Sequence, residues 1–185
     1  MKIITITGSV GSGKTTLAKK LSRKLEYKYV DVTSLIKKNK IYDKYDKKDK
    51  SYVVDIKDLQ IFLIELIEKE KKKTTKGIII DSHLSHFIPN EFVDLCIITK
   101  CKIEELNKRL KERKYSKNKI LENIECEIFD ICQQEAKDMK HKILVIPTTK
   151  GLNMARIFQK VKVILNESTS RRVKSNNKIK KSSNI

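Results

Sequence analysis

Eight consecutive residues near the start of the chain, GSVGSGKT at 8–15, place three glycines, a lysine and a hydroxyl in an order suited to holding a chain of phosphates. Gly8, Gly11 and Gly13 permit backbone torsions closed to other residues and let amide N–H groups approach phosphate oxygens closely. A helix starting near Gly13 would aim the positive end of its dipole at the same anion. Lys14 would bridge β- and γ-phosphates, and the Thr15 hydroxyl would be a magnesium ligand. The chemistry is binding of a nucleoside triphosphate with magnesium. The motif by itself does not separate a kinase from an ATPase or a GTPase switch.

A second acidic site follows the apolar run GIIID at 77–81. Asp81 ends that run, where a carboxylate would hold magnesium through its water shell. Its context is DSHLSH at 81–86. His83 and His86 could form a metal pair. On a loop after a strand, the expected roles are hydrogen bonding near metal-bound water for His83 and structure for His86. Further along, Arg109 and Arg113 are four residues apart, so one helical face projects both toward the short segment RKYS at 113–116, where two planar guanidinium groups could clamp a transferring phosphoryl group. The alternative is a solvated basic face among Lys108, Lys111 and Lys114. Phosphoryl transfer depends on positioning and charge neutralisation, so no nucleophilic side chain is required.

These residues need a scaffold. KIITIT at 2–7 reads as a buried strand, and Leu17, Ala18, Leu21 and Leu25 then recur at helical spacing, giving the strand, loop and helix order of a phosphate-binding unit. A second strand is expected at 29–32, a short helix from Leu35, and a mobile polar stretch from Lys37 to Ser51. Leu59, Phe62, Leu63, Leu66 and Ile67 put one apolar face on a helix over 55–73. Strands follow at 77–81, 93–99 and 142–146. Helices are predicted at 103–113, 117–139 and 152–165. Regular alternation of this kind implies a five-stranded parallel sheet covered by helices on both faces. The α/β domain should span 1–165 with a short lid near 113–118, and the Ser-, Asn- and Lys-rich residues 166–185 should form a basic disordered tail.

Composition sets the remaining limits. A chain of 185 residues with 39% hydrophobic content can fill one core. The formal charge of +19, from 42 basic and 23 acidic residues, would attract a polyanion such as RNA, unless it reflects only a lysine-coated surface. No apolar run approaches the ~20 residues that span a bilayer, and the chain begins with a strand-like segment, so no membrane contact and a cytoplasmic location are expected. Cys96, Cys101, Cys126 and Cys132 form no CxxC pair and read as reduced structural thiols.

The loop GSVGSGKT, the run DSHLSHFIP at 81–89, RLKERKYSKNKILENIECEIFDIC at 109–132 and PTTKG at 147–151 together resemble the adenylate kinase isoenzyme 6 family, in its archaeal branch. The resemblance covers residues 1 to about 165. It implies a P-loop NTPase fold of the nucleoside-monophosphate-kinase type, Mg2+ and ATP as donor, AMP as acceptor, and an accompanying ATPase activity. It also implies a role in small ribosomal subunit maturation, with a platform ribosomal protein and rRNA as partners; separately, a monomer or weak oligomer is expected. The family pattern carries the nucleotide loop onto Gly8 to Thr16, including Ser12 and Thr16, the acid and histidine onto Asp81 and His83, and the lid arginines onto Arg109 and Arg113. Thr148, Thr149 and Lys150 would face the adenine. Pro147 stands where the family usually has an acidic residue, and the expected acceptor region between Asp31 and Asp55 departs from the pattern. Two other readings share the loop: a nucleotide-switched assembly factor in which transfer to AMP is incidental, and a kinase for another small acceptor such as shikimate or a nucleoside.

Overall fold

The computed structural model describes residues 1–47, 49 and 51–166. Its centre is a parallel sheet built from β1 (Lys2–Thr7), β2 (Lys28–Asp31), β5 (Gly77–Asp81), β6 (Leu95–Lys100) and β7 (Ile143–Pro147), in the order β2-β5-β1-β6-β7. Because successive side chains of a strand point to opposite faces, near-continuous apolar runs are needed to bury both. In β1, Ile4 and Ile6 join Ile79 and Ile97 on one face, and Ile3 joins Ile78 and Ile80 on the other.

Helices cover both faces, as the alternation implies. The first face receives α1 (Lys14–Leu25) through Leu17, Ala18 and Leu21, and the closing helix at 154–166 through Ile157, Val161 and Leu165. The second face receives α2 (Val32–Asn39) through Val32 and Ile36, and α3 (Ile56–Lys71) through Leu59, Leu63 and Ile67. Asp55 caps α3 by accepting from the Lys57 and Asp58 amides at 2.7 and 3.2 Å. Such a cap satisfies donors that the first turn leaves unpaired. Among the described residues, no helix is long and apolar enough to cross a membrane.

Three expectations are corrected. The polar stretch 37–51, expected as mobile, contributes to regular structure: β3 (Lys44–Asp46) and β4 (Ser51–Val53) pair as an antiparallel hairpin. Its glue is aromatic, with Tyr52 opposite Tyr45 at 4.9 Å between ring centroids and Tyr42 at 4.8 Å, so the lysines conceal a cross-strand tyrosine pair. The second helix begins at Val32 instead of Leu35, because the Asp31 carboxylate caps it by accepting from the Ser34 amide and hydroxyl. The single helix expected over 117–139 is two, α5 (Lys117–Ile128) and α6 (Ile131–Asp138). Between them Asp130 takes the left-handed conformation at φ 54°, which aspartate tolerates better than most residues. The Lys100 ammonium stabilises the corner by donating to the Glu127 carbonyl at 2.8 Å and to the Asp130 carboxylate. The tail expected at 166–185 lies outside the described residues from position 167 onward.

Sheet topology sets the site. β1 and β5 are neighbours with Ile6 opposite Asp81, so the turn after β1 and the acidic end of β5 emerge side by side at the carboxyl edge of the sheet. Ligands of open α/β sheets bind in this crevice. α4 (Ile103–Glu112) and α5 lie beside it, joined through Arg113 to Ser116, with Ser116 capping α5 by accepting from the Lys119 amide at 3.1 Å.

Candidate active site

The loop between β1 and α1 is held from several sides. Gly8 has φ 134°, and a Cβ there would lie 2.6 Å from the Thr99 carbonyl oxygen, so glycine is required by both torsion and space. Gly13 caps α1 in the left-handed region at φ 96°. The Ser12 hydroxyl is buried against Thr99 Oγ1 at 2.6 Å, and the Thr148 hydroxyl donates to the Ser12 carbonyl at 2.6 Å. Both residues therefore shape the loop from behind. Thr15 and Thr16 are exposed at the start of α1.

Lys14 is folded over the loop, its Nζ donating to the carbonyls of Gly8 and Ser9 at 2.9 and 2.8 Å. Burial lowers its pKa, with Asp81 acting in the opposite direction. Asp81 is buried at the floor of the cleft and accepts a hydrogen bond from the Tyr29 hydroxyl at 2.9 Å. The pKa of Tyr29 is raised, chiefly by burial and then by Asp81. The phenol thus orients the carboxylate that the sequence assigns to magnesium. Tyr29 was not legible as a site residue, since a tyrosine in a short strand reads as core.

The two histidines separate. His83 opens onto the cleft beside Lys14 and Asp81. Crowding by the protein, then the cations Lys14 and Lys119 and the neighbouring His86, push its pKa down to about 4, which leaves a neutral imidazole at physiological pH. His86 is buried, with Nδ1 2.8 Å from the Thr7 hydroxyl and Nε2 2.9 Å from a Glu135 carboxylate oxygen. Burial and then His141 lower its pKa to about 4, and burial raises that of Glu135. This bridge pins the turn after β5 to β1 and α6.

Arg109 and Arg113 separate as well. Arg113 follows the last turn of α4 and lines the cleft with Lys14, Thr15, Asp81, Tyr115 and Lys119. Arg109 turns to the other side of the loop. Its Nε donates to Glu105 at 2.8 Å, and its two terminal nitrogens reach the Gly11 and Thr148 carbonyls at 3.3 Å. Thr148, Thr149 and Lys150 follow β7 on that same side. The Thr149 hydroxyl accepts from the Lys102 amide at 2.9 Å, and Lys150 is exposed.

A clamp on the loop, unread in the sequence, comes from α5. Asn123 accepts from the Val10 amide at 2.9 Å. The buried Glu127 carboxylate accepts from the Ser9 hydroxyl at 2.5 Å and the Cys101 amide at 2.6 Å, with Lys100 Nζ 3.5 Å away. The spacing of these two polar residues at i and i+4 was the available signal, hidden in a helix whose isoleucines drew attention to the opposite side. Glu127→Ala would strand the buried Cys101 amide and the Ser9 hydroxyl and leave Lys100 with only Asp130 as its carboxylate partner. It is expected to destabilise the fold by about 3 kcal/mol, read as a lower urea midpoint, with Glu127→Gln costing less.

Opposite the loop, Thr33, Ile36, Asp49, Ser51, Tyr52 and Val54 form the second wall of the same cleft, which encloses about 350 Å³. The Ser116 hydroxyl donates to Asp49 at 2.8 Å, so the α4–α5 connection touches this wall. Among the described residues no three His, Cys, Asp or Glu gather as a metal site. A hydroxyl and one carboxylate fit a magnesium ion that takes its other ligands from phosphates and water.

A parallel sheet with a phosphate loop at its carboxyl edge, an adjacent carboxylate, an overhanging arginine and a facing second wall define a P-loop nucleotide kinase. Comparison with known proteins agrees. A family model described as an AAA domain matches residues 4–130. A protein of Methanocaldococcus jannaschii named "Putative adenylate kinase" is 40% identical over 140 residues, covering 76% of this chain and 75% of its own. One of the same name from Pyrococcus furiosus is 36% identical over 171 residues, covering 92% and 88%. An adenylate kinase isoenzyme 6 homolog of Caenorhabditis elegans is 31% identical over 173 residues, covering 90% and 92%. Among solved structures, a shikimate kinase from Acinetobacter baumannii in complex with shikimate superposes with a TM-score of 0.58 at 14% identity, covering 90% of this chain and 94% of that one, a likeness of fold alone. The chain belongs to the family that comprises these archaeal adenylate kinases and the adenylate kinase isoenzyme 6 homologs.

Proposed function

We propose that the protein is an adenylate kinase that transfers the γ-phosphoryl group of ATP to AMP, giving two ADP, with a slower ATPase reaction at the same site. The observation that carries this reading is the second wall, which faces the phosphate loop across one cleft and offers Asp31, Thr33, Ser51 and Tyr52 to an acceptor. The names of the relatives support adenosine nucleotides as the pair. In this reading the donor phosphates draw Lys14 off the Gly8 and Ser9 carbonyls. Arg113 closes over the transferring group from the α4–α5 connection, and an AMP phosphate oxygen attacks the γ-phosphorus in line. Arg109, Thr149 and Lys150 flank the donor base. Magnesium, held through Thr15 and by water on Asp81, would supply charge neutralisation on the bridging phosphates. A panel of nucleoside monophosphates, each assayed for ADP formation, tests the acceptor: AMP should be preferred, and equal use of all, or none, would remove the reading.

His83 distinguishes the two reactions. Phosphoryl transfer to AMP brings its own nucleophile, whereas hydrolysis needs an oriented water, and a neutral imidazole in the cleft can hold one. His83→Ala is expected to lower ATP hydrolysis about tenfold while leaving transfer to AMP within a few-fold. Since its pKa is lowered, hydrolysis should persist through neutral pH and fall only in acid, as the imidazole gains a proton. Equal losses in both reactions would give His83 a shared structural role.

The charge of +19 supports the further reading of work beside an anionic surface such as rRNA, and with it we propose a platform ribosomal protein as partner and a cytoplasmic location. Residues 168–185 carry six basic side chains. Their removal is expected to leave AMP kinase activity unchanged while weakening RNA binding and flattening its salt dependence. Unchanged RNA affinity would leave the tail without this role.

A further inference from the structure

The corner between α5 and α6 joins two thiols that the sequence kept apart. In one continuous helix, residues six apart point about 120° away from each other. The break at Phe129 and Asp130 instead folds Cys132 back, so that its sulfur lies 3.6 Å from that of Cys126. We propose that Cys126 and Cys132 are a modification site, an oxidisable dithiol that hydrogen peroxide converts to a reversible intramolecular disulfide coupled to the nucleotide loop.

Three observations support the site. The pair is reachable, because Cys126 is half-buried, whereas Cys96 and Cys101 are buried in the sheet region. The pair is polarised: the hydrogen bond between the two thiols lowers the Cys126 pKa and raises that of Cys132, which makes Cys126 the readier of the two to act as thiolate. Cys96, by contrast, is pushed up to about 12 by burial, which makes it inert. The pair also sits against the loop. A small crevice is lined by both thiols together with Gly8, Ser9 and Glu127. Glu127, next to Cys126, holds Ser9 and Cys101, and Lys100 holds the corner itself.

The chemistry balances in two steps. The Cys126 thiolate attacks one peroxide oxygen; an S–O bond forms, the O–O bond breaks, and the departing hydroxide takes a proton and leaves as water. Cys132 then attacks the sulfenic sulfur; the S–S bond forms as the S–O bond breaks, and the leaving hydroxide takes the Cys132 proton as a second water. One peroxide is reduced and two thiols are oxidised, and an added dithiol reverses the bond by exchange. Closing from 3.6 Å to the bonded distance of about 2 Å draws the ends of α5 and α6 together and pulls on the Glu127 clamp. Turnover should therefore fall.

The test is intact-mass and peptide-mapping spectrometry of the full chain after treatment with hydrogen peroxide, beside ATP turnover of the same samples. The expected result is loss of the mass of two hydrogen atoms, mapped to a bridge between the peptides bearing Cys126 and Cys132. Turnover should fall several-fold, and dithiothreitol should restore both. Cys126→Ser and Cys132→Ser should each abolish the bridge. Sulfinic or sulfonic products without a bridge, a bridge through Cys96 or Cys101, or no reaction would overturn the site. A complete bridge with unchanged turnover would overturn its coupling to the loop. The turnover arm rests on the kinase reading above, whereas the bridge is read by mass alone and stands or falls without it.

Discussion

Lys14→Ala is expected to lower kcat for transfer to AMP by about 10³-fold or more and to suppress ATP hydrolysis to a similar degree, while the far-ultraviolet circular dichroism stays that of the parent. The ammonium is the one flexible cation on the loop, and it already reaches the Gly8 and Ser9 carbonyls from within. In the occupied site those contacts give way to phosphate oxygens on which negative charge develops during transfer. A uniform loss of ground-state binding would raise KM and spare kcat; a contact that strengthens in the transition state lowers kcat itself. The loop's shape does not depend on Lys14, because Ser12, Thr99, Thr148, Asn123 and Glu127 hold it from behind. Stopped-flow binding of a fluorescent ATP analogue beside steady-state kinetics separates the two effects. Turnover within tenfold of the parent would remove Lys14 from the chemistry.

The second large effect is expected at Arg113. Arg113→Ala should lower kcat about 10²-fold with KM for ATP changed only a few-fold, and Arg113→Lys should recover little, since a point charge cannot reproduce the planar fork. Arg109→Ala should behave differently, raising KM for ATP more than it lowers kcat. The reason is geometric. Arg113 lines the cleft with Lys14 and Asp81, while Arg109 is held by Glu105 against the Gly11 and Thr148 carbonyls on the far side of the loop. The two are equal in sequence spacing and unequal in place. Parallel kinetics of the two variants check this, and identical kcat and KM profiles would restore the view that both clamp the same phosphoryl group.

That contrast shows how far the sequence could be read. The strand, loop and helix around GSVGSGKT were legible because a fixed motif and a 3.6-residue period coincide there. Asp81 was legible because a carboxylate ends an apolar strand. What lay hidden depends on contacts between distant segments. Tyr29 is adjacent to nothing catalytic in the chain, yet β2 pairs with β5 so that Tyr29 can donate to Asp81. Glu127 and Asn123 read as the polar side of an amphipathic helix until α5 is packed on the loop. The acceptor wall was obscured by lysines, since a hairpin of three-residue strands held by Tyr42, Tyr45 and Tyr52 has too short a period to stand out. The break at Asp130 was invisible for a related reason: isoleucines continue the helical period across it, and only tertiary contacts from Lys100 favour the corner.

The central claim is that one cleft passes the γ-phosphoryl group of ATP directly to the phosphate of AMP. Incubation of the purified full chain with γ-labelled ATP, magnesium and unlabelled AMP follows that group itself. The label should appear as the β-phosphate of ADP formed from AMP, one for each ATP consumed, with little released as inorganic phosphate while AMP remains. Label recovered only as inorganic phosphate, at a rate indifferent to AMP, would contradict the claim and leave a nucleotide hydrolase in its place.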